Sequence, residues 1–187
     1  MFEAATDHQI LRQFDTNLFG AMRVARAVLP QFRAQRRGTI VNVSSVGGLL
    51  TFPLYSLYHS TKWALEGFSE SLRYELRPLG IHVKLIEPGG VRTDFNGRSQ
   101  EVVPSAGLED YQRYADHLIA AYAAMSEGGA DVSAVATAIF DAATDPSDRL
   151  RYVVPPDSPA DQLLQLRSTV PLEAFAAQIE QMFGISV

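Results

Sequence analysis

The sequence predicts an α/β protein built on a parallel sheet, because short β-branched runs alternate with long amphipathic stretches. Three runs carry strand character: Thr39-Ile40-Val41-Asn42-Val43, Ile81 to Ile86, and Arg151-Tyr152-Val153-Val154. The stretches between them are long enough to hold the crossover helices that a parallel pair requires.

The elements follow in order. Over Thr6 to Gln35, Ile10, Leu11, Phe14, Leu18, Met22, Ala25, Val28 and Leu29 fall on one broad helical stripe. Thr6 before Asp7 is suited to cap that helix, and Arg36-Arg37-Gly38 to stop it. The run Thr39 to Val43 opens into Ser44-Ser45 and Gly47-Gly48, a strand entering a loop. A second long helix is predicted from Tyr58 to Leu79, ending near Pro78 and Gly80, followed by the Ile81 to Ile86 strand and its stop at Pro88-Gly89-Gly90. Residues 96–130 are polar and helical in places. Their Tyr111, Tyr114 and Tyr122 fit a substrate lid or a packed helix pair equally well. A helix over Asp131 to Ala143 leads into the Arg151 to Val154 strand, and a last helix covers Leu172 to Phe183.

Composition excludes several function classes. The 187 residues are 47% apolar and 20% charged, as expected of one soluble domain with a core. No apolar run is long enough to cross a bilayer, and the first nine residues lack the basic region of a secretory signal. Without cysteine there is no disulfide or thiolate metal site, and the expected location is the cytoplasm. A net charge of −5 argues against nucleic acid. The arginines of Arg33 to Arg37 are explained by the end of a helix, where cations oppose the dipole.

Ser45 lies at the C-terminal end of a strand, where open α/β sheets place their ligands. Tyr58 and Lys62 are four apart on the next helix and share one face. A phenol titrates near pKa ~10, too high for ready exchange at neutral pH, and a nearby cation favours its ionised form. A hydroxyl on Ser45 could hold a substrate oxygen beside the phenol, which makes a proton-transfer site for an alcohol or carbonyl. Of the 16 basic residues only Lys62 and Lys84 are lysines, so an ammonium one turn from the tyrosine is a specific choice; unlike guanidinium it can join a proton relay. Tyr55 lacks a lysine four residues on and fits a loop or substrate-side aromatic. His59 points away from the Tyr58 face and reads as structural. His82 and His117 have no acidic or histidine partner at ligand spacing, so no metal site is expected.

Tyr58-His59-Ser60-Thr61-Lys62, with Ser45 thirteen residues upstream, resembles the active-site motif of the short-chain dehydrogenases/reductases. Asn17 in Asn17-Leu18-Phe19-Gly20, and Pro88-Gly89-Gly90-Val91-Arg92-Thr93, match two further motifs of that family in order and spacing. The resemblance implies a catalytic set of Asn17, Ser45, Tyr58 and Lys62. Tyr58 would be the general acid or base, Ser45 would orient the substrate oxygen, and Lys62 would lower the tyrosine pKa and hold the nicotinamide ribose. Asn17 would hold a water leading to solvent. NAD or NADP would be bound by Tyr58, Lys62, Pro88, Gly89, Val91 and Thr93. The implied substrate is a small hydrophobic alcohol or carbonyl compound, and the implied assembly a homodimer or homotetramer. Its interface would use the Asn17 and Tyr58 helices, with Ala64, Phe68, Leu72 and Leu76 suited to burial against a neighbour.

The thirteen glycines include no Thr-Gly-x-x-x-Gly-x-Gly loop and there is no Asn-Asn-Ala-Gly element, both of which the family uses around the nucleotide. The expected fold is therefore a partial doubly wound, Rossmann-like sheet retaining the last three strands, in a single truncated domain over 1–187. Its parts are catalytic helices and strands over 1–95, the lid over 96–130, and the last helix, strand and tail over 131–187. An oxidoreductase is expected, with a cofactor-free interaction module as the alternative. The chain by itself is expected to lack tight nicotinamide binding.

Overall fold

A computed structural model describes residues 1–93, 107–126 and 129–185. Its sheet has three parallel strands, β1 (Gly38–Val43), β2 (Ile81–Pro88) and β3 (Arg151–Val154), in the order β1-β2-β3. Gly38 pairs with Ile81 at one end of β1 and Val43 with Ile86 at the other; on the far side of β2, Leu85 pairs with Arg151 and Pro88 with Val154.

Seven helices surround this sheet among the described residues: α1 (Asp7–Phe14), α2 (Gly20–Gln35), α3 (Ser56–Leu76), α4 (Glu109–Ser126), α5 (Val132–Thr144), α6 (Pro159–Thr169) and α7 (Leu172–Met182). The period-two alternation of the strands sends side chains to both faces. On one face Ile40, Ile81 and Val83 pack against Ala25 of α2 and Leu72 and Leu76 of α3. On the other, Ile86, Tyr152 and Val154 pack against Ala142 of α5. Helices on both faces make the sheet doubly wound, as expected from the alternating elements. Leu72 and Leu76 are thus core residues and Phe68 packs against them, which corrects their assignment to an intermolecular surface. The helical stripe was wide enough to serve either side, and the sheet takes it.

The first predicted helix begins at the expected cap. Thr6 accepts a hydrogen bond from Gln9 N–H, and the Gln9 side chain accepts from Thr6 N–H, a reciprocal capping box. It is not continuous, however: a π-helical turn over Asp15–Phe19 separates α1 from α2. The turn is clamped by Arg23, which donates to both carboxylate oxygens of Asp15 at 2.8 and 2.9 Å. Helix α6 was not anticipated. Its start carried a signal, Ser158-Pro159 followed by Asp161, and Ser158 Oγ does accept from Asp161 N–H.

A third apolar cluster lies over the loop that follows β1. Val46 and Leu50 from that loop meet Leu118 of α4 together with Phe175, Ile179 and Phe183 around α7. The C-terminal helices and α4 therefore form a roof at the C-terminal end of the sheet. Of the 96–130 lid, residues 96–106, 127 and 128 lie outside the described residues.

Lys84 is fully buried on the α5 face of β2. Its Nζ donates to Ser147 O at 2.6 Å and to Tyr152 Oη at 3.3 Å, with Asp145 at 4.0 Å. Tyr152 in turn donates to Asp145 at 2.5 Å. This cluster fastens the turn before β3 to the sheet. His82, which lacks a partner in sequence, lies 3.8 Å from Asp148, and His117 Nε2 lies 2.8 Å from Phe183 O.

Candidate active site

The C-terminal end of β1 and the first turns of α3 bring Ser45, Tyr58 and Lys62 together. Ser45 is extended, and its Oγ accepts from Gly47 N–H at 3.0 Å and lies 3.3 Å from Pro88 O at the end of β2. The Ser45 hydroxyl is near enough to the Tyr58 phenol to favour its ionised form. Lys62 Nζ donates to Val43 O at 3.0 Å and sits 5.7 Å from the centre of the Tyr58 ring. Three residues chosen from sequence by spacing are therefore neighbours in space.

Their electrostatics have identifiable causes. Burial pushes the Tyr58 phenol above its ordinary value; the Ser45 hydrogen bond works against this, and Tyr55 adds to it. In this arrangement burial therefore outweighs the lowering expected from Lys62. Lys62 itself is pushed down to about 8 by burial, with Glu66 opposing the shift. An ammonium with that value exchanges protons readily near neutrality.

Asn17 reaches the same helix from the π turn. Its Nδ2 donates to Thr61 Oγ1 at 3.1 Å, and Thr61 Oγ1 donates to Tyr58 O at 2.8 Å. Thr61 is fully buried. The widened turn thus ties the α1–α2 segment to the turn of α3 that carries the tyrosine, the kind of site where π turns recur. Nothing in the spacing singled out Thr61; it precedes Lys62 and looks like an ordinary helical threonine.

His59 has a structural role, and its bonds give that role detail. Phe52 N–H donates to Nε2 at 2.8 Å, so the ring proton sits on Nδ1 and donates to Gly47 O at 2.7 Å. The imidazole stitches the 47–52 loop to α3 beside Tyr58, and burial holds it below its ordinary pKa. Gly47 allows this approach: a Cβ there would lie 3.0 Å from the His59 ring and 3.2 Å from that of Tyr58.

Tyr55 stands between Tyr58 and α4. Its ring centre is 6.0 Å from that of Tyr58 and 5.0 Å from that of Tyr122, and Tyr122 Oη donates to Pro53 O at 2.8 Å. The tyrosine pair, with Phe52 and Phe183, makes an aromatic wall that meets the Tyr58 ring through Tyr55. Tyr111 and Tyr114 are half exposed and take no part in this wall.

The turn after β2 is held on two sides. Gly89 N–H donates to Val154 O, while Val91 bridges Ala130 through Ala130 N–H to Gly90 O and Arg92 N–H to Ala130 O, all at 2.9 Å. Arg92 reinforces it by donating to Gly129 O at 2.6 Å. Pro88, Gly89, Val91 and Thr93 therefore line the strand end next to the one that carries Ser45. Among the described residues no group of three or more His, Asp or Glu side chains could hold a metal ion, and no helix is long and apolar enough to cross a membrane.

Comparisons with known proteins place the chain in a family. The family profile described as short chain dehydrogenase matches residues 1–103. An uncharacterized oxidoreductase of Schizosaccharomyces pombe is 39% identical over 185 residues, 98% of this chain and 75% of that protein. Retinol dehydrogenase 8 of Bos taurus is 47% identical over 93 residues, 50% of this chain and 30% of that protein. A short-chain dehydrogenase structure from Streptomyces avermitilis superposes with a TM-score of 0.72 at 31% identity. The match covers 96% of this chain, which spans 62% of that one.

Proposed function

The chain belongs to the short-chain dehydrogenase family, and from that premise we propose that it carries the proton-transfer centre of an NAD(P)-dependent alcohol or carbonyl oxidoreductase. The observation that carries this reading is the Ser45–Tyr58 hydroxyl pair at the C-terminal end of β1, with Lys62 one helical turn away. The residues present fit the nicotinamide end of such a cofactor. Lys62 has an ammonium beside the ring, and the 88–93 turn offers backbone groups that its neighbours hold in place.

When bound, the nicotinamide would supply or accept the hydride, which no side chain can do. Ser45 Oγ would hold the substrate oxygen, exchanging its bond to Pro88 O for one to the substrate. Tyr58 Oη would donate its proton to that oxygen in reduction and remove it in oxidation. Lys62 would stabilise the phenolate that reduction leaves and hold the nicotinamide ribose. The Asn17 amide nitrogen is engaged by Thr61, which fixes its carbonyl as an acceptor for water on the path from Lys62 to solvent. The aromatic wall of Tyr55, Tyr122, Phe52 and Phe183 supports an apolar substrate, as does kinship to a retinol dehydrogenase. A cytoplasmic location fits the absence of cysteine.

Deuterium transfer tests the reaction class. In a preparation that binds nicotinamide, with the cofactor deuterated at the transferable position and a panel of apolar aldehydes and ketones, deuterium is expected on the carbinol carbon of the product. Cofactor binding without transfer to any member of the panel would refute the oxidoreductase reading.

The assembly proposed is a homodimer through α2 and α3. Leu72 and Leu76 are unavailable for it, but Leu11 and Val24 are each 65% exposed, and Tyr74 is 64% exposed. These side chains on α1, α2 and α3, with Phe19 and Trp63 beside them, are apolar groups left for an isologous contact. Light scattering at micromolar concentration should give twice the 20.5 kDa of the chain; a stable monomer would overturn the interface.

A further inference from the structure

Behind Lys62, on the face of α3 that packs against the sheet, lies a buried acid cluster that the proposed chemistry leaves unused. Glu66 follows Lys62 by one helical turn with its side chain 4% exposed, and Glu87 of β2 is 1% exposed. Both face Arg151 at the start of β3. Arg151 Nε carries one hydrogen, which it donates to Glu66 Oε2 at 3.1 Å. Its Nη2 donates at 2.7 Å to Glu70, which is 44% exposed. Glu87 Oε1 lies 3.2 Å from Arg151 Nε but receives no hydrogen bond from it. Ser44 Oγ, Glu66 Oε1 and Glu87 Oε1 are all buried without a protein hydrogen-bond partner among the described residues. The same spot is crowded by Lys62. A Cβ built on Gly48 would lie 2.7 Å from Glu66 Cγ, 2.9 Å from Ser44 Oγ and 3.1 Å from Lys62 O.

The charges here do not balance if every carboxyl is ionised. Glu66, Glu70 and Glu87, with Asp161 from α6 acting at longer range, oppose Arg151 and Lys62. Glu70 reaches solvent. Glu66 and Glu87 are both buried, and they lie within hydrogen-bonding reach of each other. Two buried carboxylates in one site repel strongly, and a single proton between them removes the repulsion while giving each an acceptor or donor.

We propose that Glu66 and Glu87 together hold one proton at neutral pH, and that this buried acid pair sets the charge of Lys62 through the Glu66 carboxylate. Glu66 is then a positioning residue for the site, acting on the ammonium rather than on substrate. The direction of each effect follows from the surroundings. Burial, then Glu66, push Glu87 up to about 8, against the pull of Arg151. Glu66 in turn holds Lys62 up against the burial that lowers it to about 8. The pair and the ammonium therefore change charge in the same pH range, and the proton held on Glu87 keeps Glu66 available as the counter-ion of Lys62. The significance for catalysis rests on the proposed Tyr58–Lys62 chemistry, but the charge states do not, and they are measurable without cofactor or substrate.

Infrared spectroscopy of the unaltered protein should show a protonated buried carboxyl at pH about 6.5 that disappears with a midpoint near 8, and Glu87→Gln should remove it. The absence of such a band in the unaltered protein overturns the shared proton, whatever the variants do. Lys62 and Lys84 are the two lysines of the chain, so a lysine-labelled sample gives two ammonium titrations by NMR, assigned with Lys62→Arg. In Glu66→Gln the Lys62 midpoint should move to lower pH by roughly half a unit, about a threefold change in the protonated fraction. A Lys62 titration unmoved in folded Glu66→Gln overturns the coupling even if the enzyme proves active, and loss of activity in Tyr58 variants has no bearing on either result.

Discussion

Tyr58→Phe is expected to slow carbonyl reduction by about 10²- to 10⁴-fold in a preparation that turns over, while nicotinamide affinity changes by less than about threefold. The substitution removes one hydroxyl and keeps the ring. The contacts to Tyr55 at 6.0 Å and to Lys62 at 5.7 Å depend on the ring and should persist. What is lost is the hydroxyl beside Ser45 and the proton that the substrate oxygen would take. Hydride transfer would then leave an alkoxide without the phenol placed to protonate it, which is why the loss belongs in the rate constant for chemistry rather than in binding. Single-turnover kinetics with a cofactor fluorescence titration separates the two. More than about a tenth of the original rate in Tyr58→Phe would mean that another group donates the proton. Tyr55→Phe, which keeps the aromatic wall, should remain within about threefold of the unaltered rate.

The pH dependence of that reaction has a sign fixed by the same surroundings. Tyr58 is raised by burial, so the proton-carrying form persists to high pH and reduction is not limited by loss of the phenol proton near neutrality. Lys62, lowered to about 8, loses its charge first as pH rises. Stabilisation of the phenolate by the ammonium is therefore present below that value and fades above it.

How much of this was legible in the sequence differs by element. The strands were readable because β-branched runs bounded by glycine and proline have few alternatives, and β1 and β3 fall within a residue of their expected bounds. The Ser45, Tyr58 and Lys62 cluster was readable because the serine ends a strand, thirteen positions before the tyrosine, and one helical turn separates tyrosine from lysine. The π turn at Asp15–Phe19 was not, since its residues continue the helical stripe and the extra width comes from tertiary contacts of Asn17 with Thr61. The Glu66, Glu87 and Arg151 cluster was hidden for a different reason. Its members come from three elements, and each one alone looks like a solvated charge on a helix or strand; only the fold buries them together. The fate of Leu72 and Leu76 has a similar cause, because periodicity identifies an apolar face without saying whether the sheet or a second subunit covers it.

Gly48→Ala is expected to lower stability by about 1 to 3 kcal/mol and to slow turnover by about 10²-fold, although it adds a single methyl group. The physical reason lies in what the new Cβ would meet. One contact, at 3.1 Å, is the backbone oxygen of Lys62, which the helix holds and no side-chain rotation can move. A second, at 2.7 Å, is Glu66 Cγ, whose carboxylate is pinned by Arg151. The third, at 2.9 Å, is the buried Ser44 hydroxyl. Relief therefore requires the 46–48 turn and α3 to separate, and these two segments carry Ser45 on one side and Tyr58 with Lys62 on the other. A few tenths of an ångström of separation draws the Ser45 hydroxyl away from Tyr58 and strains the His59 bonds to Gly47 and Phe52. Gly67, farther along α3, provides the contrast: a Cβ there meets nothing within 4 Å. Gly67→Ala should raise stability by roughly 0.5 to 1 kcal/mol, because alanine loses less backbone entropy than glycine in a helix interior. Urea denaturation of the two variants side by side reads both signs. If Gly48→Ala is as stable as the unaltered protein, the turn and α3 are not in the close contact described here, and the geometry of the site has to be redrawn.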